Sequence, residues 1–145
     1  MRVILDTNVL LAALISAKGA PDAIYRAWRA GRFELVTSMA QLDELRRVSR
    51  YPKLKPILPT HRVGTLINNL QRAVILDALP ALPKAVAARD PDDDFLLAMA
   101  LVGKVDWLVT GDGRAGLIQR GNLGRTRIAT PTAFCAKALR DPKPQ

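Results

Sequence analysis

Residues 3–8 read Val-Ile-Leu-Asp-Thr-Asn, a short β-branched and apolar run that stops at three residues favouring caps and turns. The run predicts a strand that feeds a helix over about residues 9–15. Comparable apolar runs that predict further strands lie at residues 33–37, 74–76, 107–109 and 127–129. Helical patterns separate them, and parallel strands need crossover connections that are normally helical. The sequence therefore predicts an α/β fold, with helices on both faces of a parallel sheet.

The length and composition indicate one compact globular domain over residues 1–145. The chain has 145 residues, of which 49% are hydrophobic and 24% are charged. The longest uncharged apolar stretch, residues 95–102, is far shorter than the roughly 20 residues that cross a bilayer. The amino terminus also lacks a basic region followed by a cleavable apolar segment. We therefore expect a cytoplasmic protein with no membrane partner.

The charged and sulfur-containing residues narrow the chemistry. His61 and Cys135 are the only histidine and cysteine, so His/Cys zinc sites, disulfide frameworks and most histidine-relayed nucleophile triads lack their parts. Lys and Arg number 22 against 13 Asp and Glu, and the formal net charge is +9. Such an excess favours a polyanionic partner such as nucleic acid, although basic soluble proteins without such a partner are common.

Acidic residues stand at four informative places. Asp6 and Asp112 each follow a predicted strand, Glu44 lies on the helix that begins at Ser38, and residues 92–94 are three consecutive aspartates. The aspartates precede residues 95–102, which contain no polar residue and predict a buried helix. Each position also has a purely structural interpretation: a helix cap for Asp6, a surface ion pair for Glu44, a turn for Asp112, and capping for the triplet.

The helix that carries Glu44 begins with a capping-box pattern. Ser38 is followed three residues later by Gln41. In this motif the serine oxygen accepts from the amide of Gln41, whose side chain reaches back to the amide of Ser38.

The joint pattern of carboxylates is more informative than any single one. The ends of parallel strands and the starts of the following helices meet at one edge of such a sheet, which is where ligands bind. Carboxylates held close together need a cation, because otherwise their repulsion raises pKa values or leaves buried charge. All-oxygen ligation favours Mg²⁺ or Mn²⁺. On a basic chain this predicts hydrolysis of phosphodiester bonds by metal-activated water.

The same residues resemble a known family. The motifs are Val-Ile-Leu-Asp-Thr-Asn at 3–8, Gln-Leu-Asp-Glu-Leu-Arg-Arg-Val at 41–48, Asp-Pro-Asp-Asp-Asp-Phe-Leu-Leu-Ala-Met-Ala at 90–100 and Asp-Trp-Leu-Val-Thr-Gly-Asp at 106–112. Their order and spacing resemble a PIN-domain nuclease over about residues 1–134, which leaves 135–145 as the end of the last helix and a tail. Within that family the chain is similar to VapC-type toxins of bacterial toxin–antitoxin pairs.

The resemblance implies a three-layer α/β/α fold with a central, mainly parallel sheet of four or five strands. It also implies a ribonuclease that uses one or two Mg²⁺ or Mn²⁺ ions, with an RNA substrate, a cognate antitoxin and a homodimeric state. The catalytic acids it implies are Asp6, Glu44, Asp93 and Asp112.

Within that acidic set, the implied metal ligands are Asp6, Asp93 and Asp112. Glu44 and Asp94 can join directly or through water. Asp93 is preferred in the triplet because Ala98 and Ala100 stand where small residues follow the third acid of the family, although Asp92 and Asp94 stay open. Asn8 and Thr110 are the implied supporting polar groups.

The sequence departs from the family after Asp112. Members often carry another Asp or Asn there, whereas Gly-Arg-Ala-Gly follows at 113–116, which weakens one metal position. Arg114, Arg125 and Arg127 are candidates for contact with the RNA backbone, and ordinary surface charge is the alternative.

Two other functions compete with the nuclease. An aspartate-dependent phosphohydrolase with Asp6 as nucleophile requires a second aspartate at position 8, where this chain has Asn8. A basic, non-catalytic RNA-binding module of the same fold would use its acidic residues only as helix caps, and it would show no metal-dependent cleavage.

Overall fold

The computed structural model describes residues 1–82, 94–111 and 117–139. Its strands are β1 (Arg2–Leu5), β2 (Glu34–Ser38), β3 (Val74–Leu76), β4 (Trp107–Val109), β5 (Asn122–Leu123) and β6 (Thr126–Ala129). Its helices are α1 (Thr7–Ile15), α2 (Ala20–Arg29), α3 (Met39–Ser49), α4 (Thr60–Leu70), α5 (Asp94–Val102), α6 (Leu117–Arg120) and α7 (Pro131–Ala138).

The strands form one sheet in the order β3-β2-β1-β4-β6-β5. All neighbouring strands in it are parallel except β5 and β6, which are antiparallel. The predicted α/β class and mainly parallel sheet are therefore confirmed. The sheet has six strands within the described residues, rather than four or five. The additional strand, β5, has only two residues and forms through its pairing with β6, so no periodic pattern announces it.

Alternate residues of the strands face two separate hydrophobic cores. Val3 and Leu5 of β1 join the core that includes residues of α1, α2, α3, α4 and α7, whereas Ile4 between them joins the core under α5 and α6. Side chains of a strand alternate between its faces, so each strand must supply both cores. The result is the predicted three-layer α/β/α arrangement.

Two helix predictions need correction. The first helix begins at Thr7 rather than near residue 9, because Asp6 already acts as its N-cap. The apolar segment at 95–102 was expected to be fully buried, but Leu101 is 45% exposed and Val102 is 43% exposed. Both lie in the last turn of α5, beyond the part of the helix that packs on the sheet.

The apolar helices are short. Within residues 1–82, 94–111 and 117–139 we find no helix with the length and hydropathy required to cross a membrane.

Candidate active site at the carboxyl edge of the sheet

The first polar residues after β1 and β4 lie side by side. Leu5 and Val109 are paired in the parallel sheet. Asp6 follows Leu5, and its backbone amide donates to the Val109 carbonyl at 2.9 Å. Thr110 follows Val109, and its hydroxyl donates to Asp6 Oδ2 at 2.8 Å. The register of the sheet therefore places Asp6 and Thr110 together at the carboxyl edge.

Asp6 combines a capping role with a position in the candidate site. Its side chain is completely buried, and Oδ1 accepts from the Asn8 amide at 3.3 Å. Its backbone carbonyl accepts from the amides of Val9 and Leu10 at 2.9 and 3.1 Å. A helix cap by itself is compatible with exposure to solvent, so complete burial of the carboxylate is an additional feature.

Glu44 is attached to the same edge through Thr7. The Thr7 hydroxyl donates to Glu44 Oε2 at 2.9 Å, and Thr7 is itself buried while Glu44 is half-buried. Thr7 directly follows Asp6 at the start of α1. This bond brings the acid of α3 to the residue adjacent to the first acid, across the packed pair of helices α1 and α3.

A buried amide holds the first turn of α3 against β1. The Gln41 side chain donates to the Leu5 carbonyl at 2.6 Å and accepts from the Thr37 hydroxyl at 2.7 Å. The Ser38 hydroxyl oxygen accepts from the Gln41 amide at 3.1 Å, so half of the predicted capping box is confirmed. The other half is wrong, because the Gln41 side chain crosses to β1 instead of reaching back to Ser38.

This amide was not recognised from the sequence as part of the site. A Ser-x-x-Gln pattern is satisfied locally by a capping box, and nothing in the sequence reveals a nearby carbonyl on another strand. Gln41 lies one helical turn before Glu44, so its contacts fix the helix that presents this acid.

Of the three consecutive aspartates, Asp94 lies within the described residues. Asp94 begins α5, and the opposite end of that helix is near the amino edge of the sheet, where the Arg2 guanidinium donates to the Gly103 carbonyl at 2.9 Å. Asp94 therefore begins the helix on the carboxyl side, as predicted. Asp92, Asp93, Asp112 and Arg114 lie outside the described residues.

The predicted RNA contacts Arg125 and Arg127 lie at the other end of the sheet. Arg125 forms an ion pair with Asp106 at 2.7 Å, just before β4, and the Arg127 guanidinium lies 5.5 Å from the centre of the Trp107 ring. The amide of Arg2 donates to the other oxygen of Asp106 at 2.8 Å. The strand β6 runs parallel to β4; Arg125 directly precedes β6, and Arg127 is its second residue. Both arginines therefore lie near the amino edge of the sheet, away from Asp6.

The groups around Asp106 change its acidity. The hydrogen bond from the Arg2 amide and then the bond from Arg125 hold the pKa of this carboxyl below its usual value, against the opposing effect of burial. This is a structural ion pair at the amino edge, and it contributes no ligand to the carboxyl edge.

The donor set suits a hard divalent cation. Asp6 and Glu44 offer carboxylate oxygens, and the neighbouring threonine hydroxyls add no soft ligand. Within the part of the chain that the structure describes, no group of three His, Cys, Asp or Glu residues has the geometry of a metal site. Two of the implied ligands, Asp93 and Asp112, fall outside that part.

Comparison with known proteins identifies the fold family. The family model for the PIN domain matches residues 2–114, which is most of the chain. PIN domains are generally nucleases and typically use divalent metal ions. A comparison with curated proteins gave no match.

Proposed function

The chain belongs to the PIN domain family, and we propose that it is a metal-dependent endoribonuclease that hydrolyses RNA phosphodiester bonds. The observation that carries this proposal is the completely buried Asp6 carboxylate at the carboxyl edge, with Glu44 tied to the adjacent Thr7. Carboxylate oxygens are the ligands that Mg²⁺ and Mn²⁺ prefer in proteins. The net charge of +9 supports a polyanionic substrate.

The residues of the edge have separate roles in this mechanism. In this mechanism Asp6, oriented by the Thr110 hydroxyl and the Asn8 amide, is a metal ligand, and Glu44, oriented by the Thr7 hydroxyl, is the second acid. Asp93 and Asp112 complete the proposed set. A bound Mg²⁺ or Mn²⁺ ion supplies Lewis-acid activation of water and neutralises negative charge that develops on the phosphate. Because the side chains are held before substrate arrives, little reorganisation is needed when the RNA binds.

The test is cleavage of a structured RNA in Mg²⁺ or Mn²⁺ by wild type, Asp6→Asn, Glu44→Gln and Asp93→Asn. We expect the substituted proteins to lose at least about 100-fold in rate, since electrostatic groups of an active site are typically worth that much. The matched control is Asp43→Asn, which removes an exposed acid beside Glu44; among the described residues, Asp43 forms one ion pair, with Arg46 at 3.5 Å. Equal cleavage by wild type and Asp6→Asn would contradict the mechanism.

The same assay separates the nuclease from a non-catalytic RNA-binding module. If the acids only cap helices, the Asp6→Asn protein binds RNA as well as wild type or better, and no preparation cleaves RNA when metal is added. RNA binding without metal-dependent cleavage would therefore favour the alternative function.

We further propose that the protein is the toxin of a toxin–antitoxin pair, acting as a cytoplasmic homodimer. The resemblance of its motifs to VapC-type toxins supports this role. A small reading frame that overlaps this one would encode the antitoxin, and the expected phenotype is growth arrest on expression that the neighbour relieves. Unimpaired growth of cells that express active, wild-type protein would remove the toxin role and leave the nuclease intact.

A further inference from the structure

A cavity of about 440 Å³ lies between the end of α3 and the start of α4. Its lining combines the cations Arg46, Arg50 and Lys55 with the apolar residues Leu58, Val63 and Ile67. Leu58 is buried, Val63 and Ile67 are half-buried, and the side chains of the rim are accessible to solvent. The cavity is therefore an apolar floor with a basic rim.

The charges of the rim are available to a ligand. Arg46 lies 3.5 Å from Asp43, and the two side chains are 42% and 74% exposed, so this ion pair is weak and easily exchanged. Arg50 and Lys55 have no ion pair within the described ranges. The hydroxyls of Ser49 and Thr60 also line the cavity and can bind sugar or phosphate oxygens.

The position of the cavity relates it to the candidate active site. Arg50 follows the last turn of α3, the helix that carries Glu44, and it lies about 9 Å from Glu44 along the helix axis. The cavity and Glu44 are thus carried by the same helix.

We propose that this cavity holds one unstacked nucleotide of a single-stranded RNA, with the base on the apolar floor and the flanking phosphates on the basic rim. The proposal rests on the proposed function for the nature of the substrate. Single-stranded nucleic acids are held by a basic groove that follows the backbone, together with stacking of the bases on aromatic rings or arginine guanidinium planes. Arg46 and Arg50 supply guanidinium planes at the rim of this cavity.

Gly64 offers a direct way to fill this cavity. It lines the cavity on α4, and a Cβ atom added there would meet nothing within 4 Å. Glycine is the poorest helix former after proline, so leucine at this position favours the helix while its side chain occupies the space of the base. Gly64→Ala is the matched control, because it improves the helix and leaves most of the cavity open.

The experiment measures binding rather than cleavage. Fluorescein-labelled ten-nucleotide 2′-O-methyl homopolymers are titrated with protein in EDTA, by anisotropy, at several salt concentrations. We expect Gly64→Leu to weaken binding about tenfold without changing the salt dependence. Arg50→Ala/Lys55→Ala should lower the slope of log K against log salt by about 1.4, which corresponds to two lost phosphate contacts. Unchanged melting temperatures show that the variants fold.

A charge-matched control lies at the opposite end of the sheet. Arg72 and Lys104 line separate depressions near the amino edge, and Arg72→Ala/Lys104→Asn removes the same charge there. Asparagine is used because Lys104 has a positive φ of 51°, which asparagine tolerates. We expect this variant to bind the homopolymers within about twofold of wild type, because neither Arg72 nor Lys104 lines the cavity.

The outcomes separate this proposal from the nuclease assignment. Wild-type affinity in Gly64→Leu for every homopolymer overturns the nucleotide site, whether or not the protein cleaves RNA. If Gly64→Leu instead loses only the binding of a synthetic Glu/Leu amphipathic peptide, the cavity is a protein-docking groove and the proposal is equally overturned. Cavity-dependent binding by a protein that never cleaves RNA supports the site and removes the nuclease.

Discussion

Replacing Gln41 by leucine tests whether a buried amide holds the acid of α3 in place. The substitution removes two short hydrogen bonds, from the Gln41 amide to the Leu5 carbonyl at 2.6 Å and from the Thr37 hydroxyl to Gln41 at 2.7 Å. Leu5 and Thr37 are buried, so water cannot readily replace the lost partner. The new side chain is similar in size, which leaves the polar contacts as the main change.

The expected loss of stability follows from these contacts. Each unsatisfied buried carbonyl or hydroxyl lowers the free energy of unfolding by about 1–3 kcal/mol. Burial of an apolar side chain in place of an amide raises it by about 1–2 kcal/mol. We therefore expect Gln41→Leu to lower the free energy of unfolding by about 2 kcal/mol. For a chain of this size, that corresponds to a fall in melting temperature of roughly 4–8 °C.

Urea denaturation provides the measurement. A lower midpoint with an unchanged m-value reports lost stability without a change in the surface exposed on unfolding. In Gln41→Leu/Thr37→Val the unpaired hydroxyl is also removed, and we expect about 1 kcal/mol to be regained relative to the single variant. The control is Gln71→Leu, an exposed glutamine whose replacement changes stability by less than about 0.5 kcal/mol.

The reasoning is refuted if Gln41→Leu is as stable as wild type and retains its full rate of RNA cleavage. A protein that is less stable but fully active would show that the amide supports the fold and not the placement of Glu44.

Three further outcomes are expected. Thr7→Val, which removes the hydrogen bond to Glu44 while keeping the shape of the side chain, should reduce the rate of RNA cleavage about tenfold and stability by about 1 kcal/mol, measured by single-turnover kinetics and urea denaturation. Gly103→Ala should destabilise by about 1–3 kcal/mol, because its Cβ would stand 2.9 Å from a carbonyl of α5; calorimetry showing a more stable protein would contradict this contact. The folded-state pKa of Asp106 is lowered, so its contribution to stability is present above the unfolded pKa of about 4 and is lost as pH falls through the folded value. Asp106→Asn should therefore flatten the acid limb of the stability–pH curve, and an unchanged limb would show that the carboxyl makes no such contribution.

The features that the sequence predicts correctly are those that local pattern and topology determine together. The apolar run before Asp6 predicts β1, and the alternation of strands and helices predicts a mainly parallel sheet. The parallel pairing of β1 with β4 confirms this sheet, and it brings the Thr110 hydroxyl to 2.8 Å from Asp6 Oδ2. No partner beyond the neighbouring strands is needed for that prediction.

The features that the sequence does not predict depend on tertiary partners. The strand β5 has only two residues, and its pairing with β6 is what makes it a strand. The side chain of Gln41 has a local partner available at Ser38 but uses a carbonyl of β1. The edge of the sheet at which Arg125 and Arg127 lie depends on the direction of β6, and the number of charged residues does not reveal that direction.

The buried threonines of the carboxyl edge explain how the candidate site keeps its acids in fixed positions. Thr7, Thr37 and Thr110 are each at most 1% exposed. Their hydroxyls donate to Glu44, Gln41 and Asp6. A β-branched side chain has few rotamers, so each hydroxyl is aimed by its own Cβ and held by packing of its methyl group. The acids are thus oriented by groups that solvent cannot displace, and the cost of ordering them is met when the protein folds rather than when RNA binds.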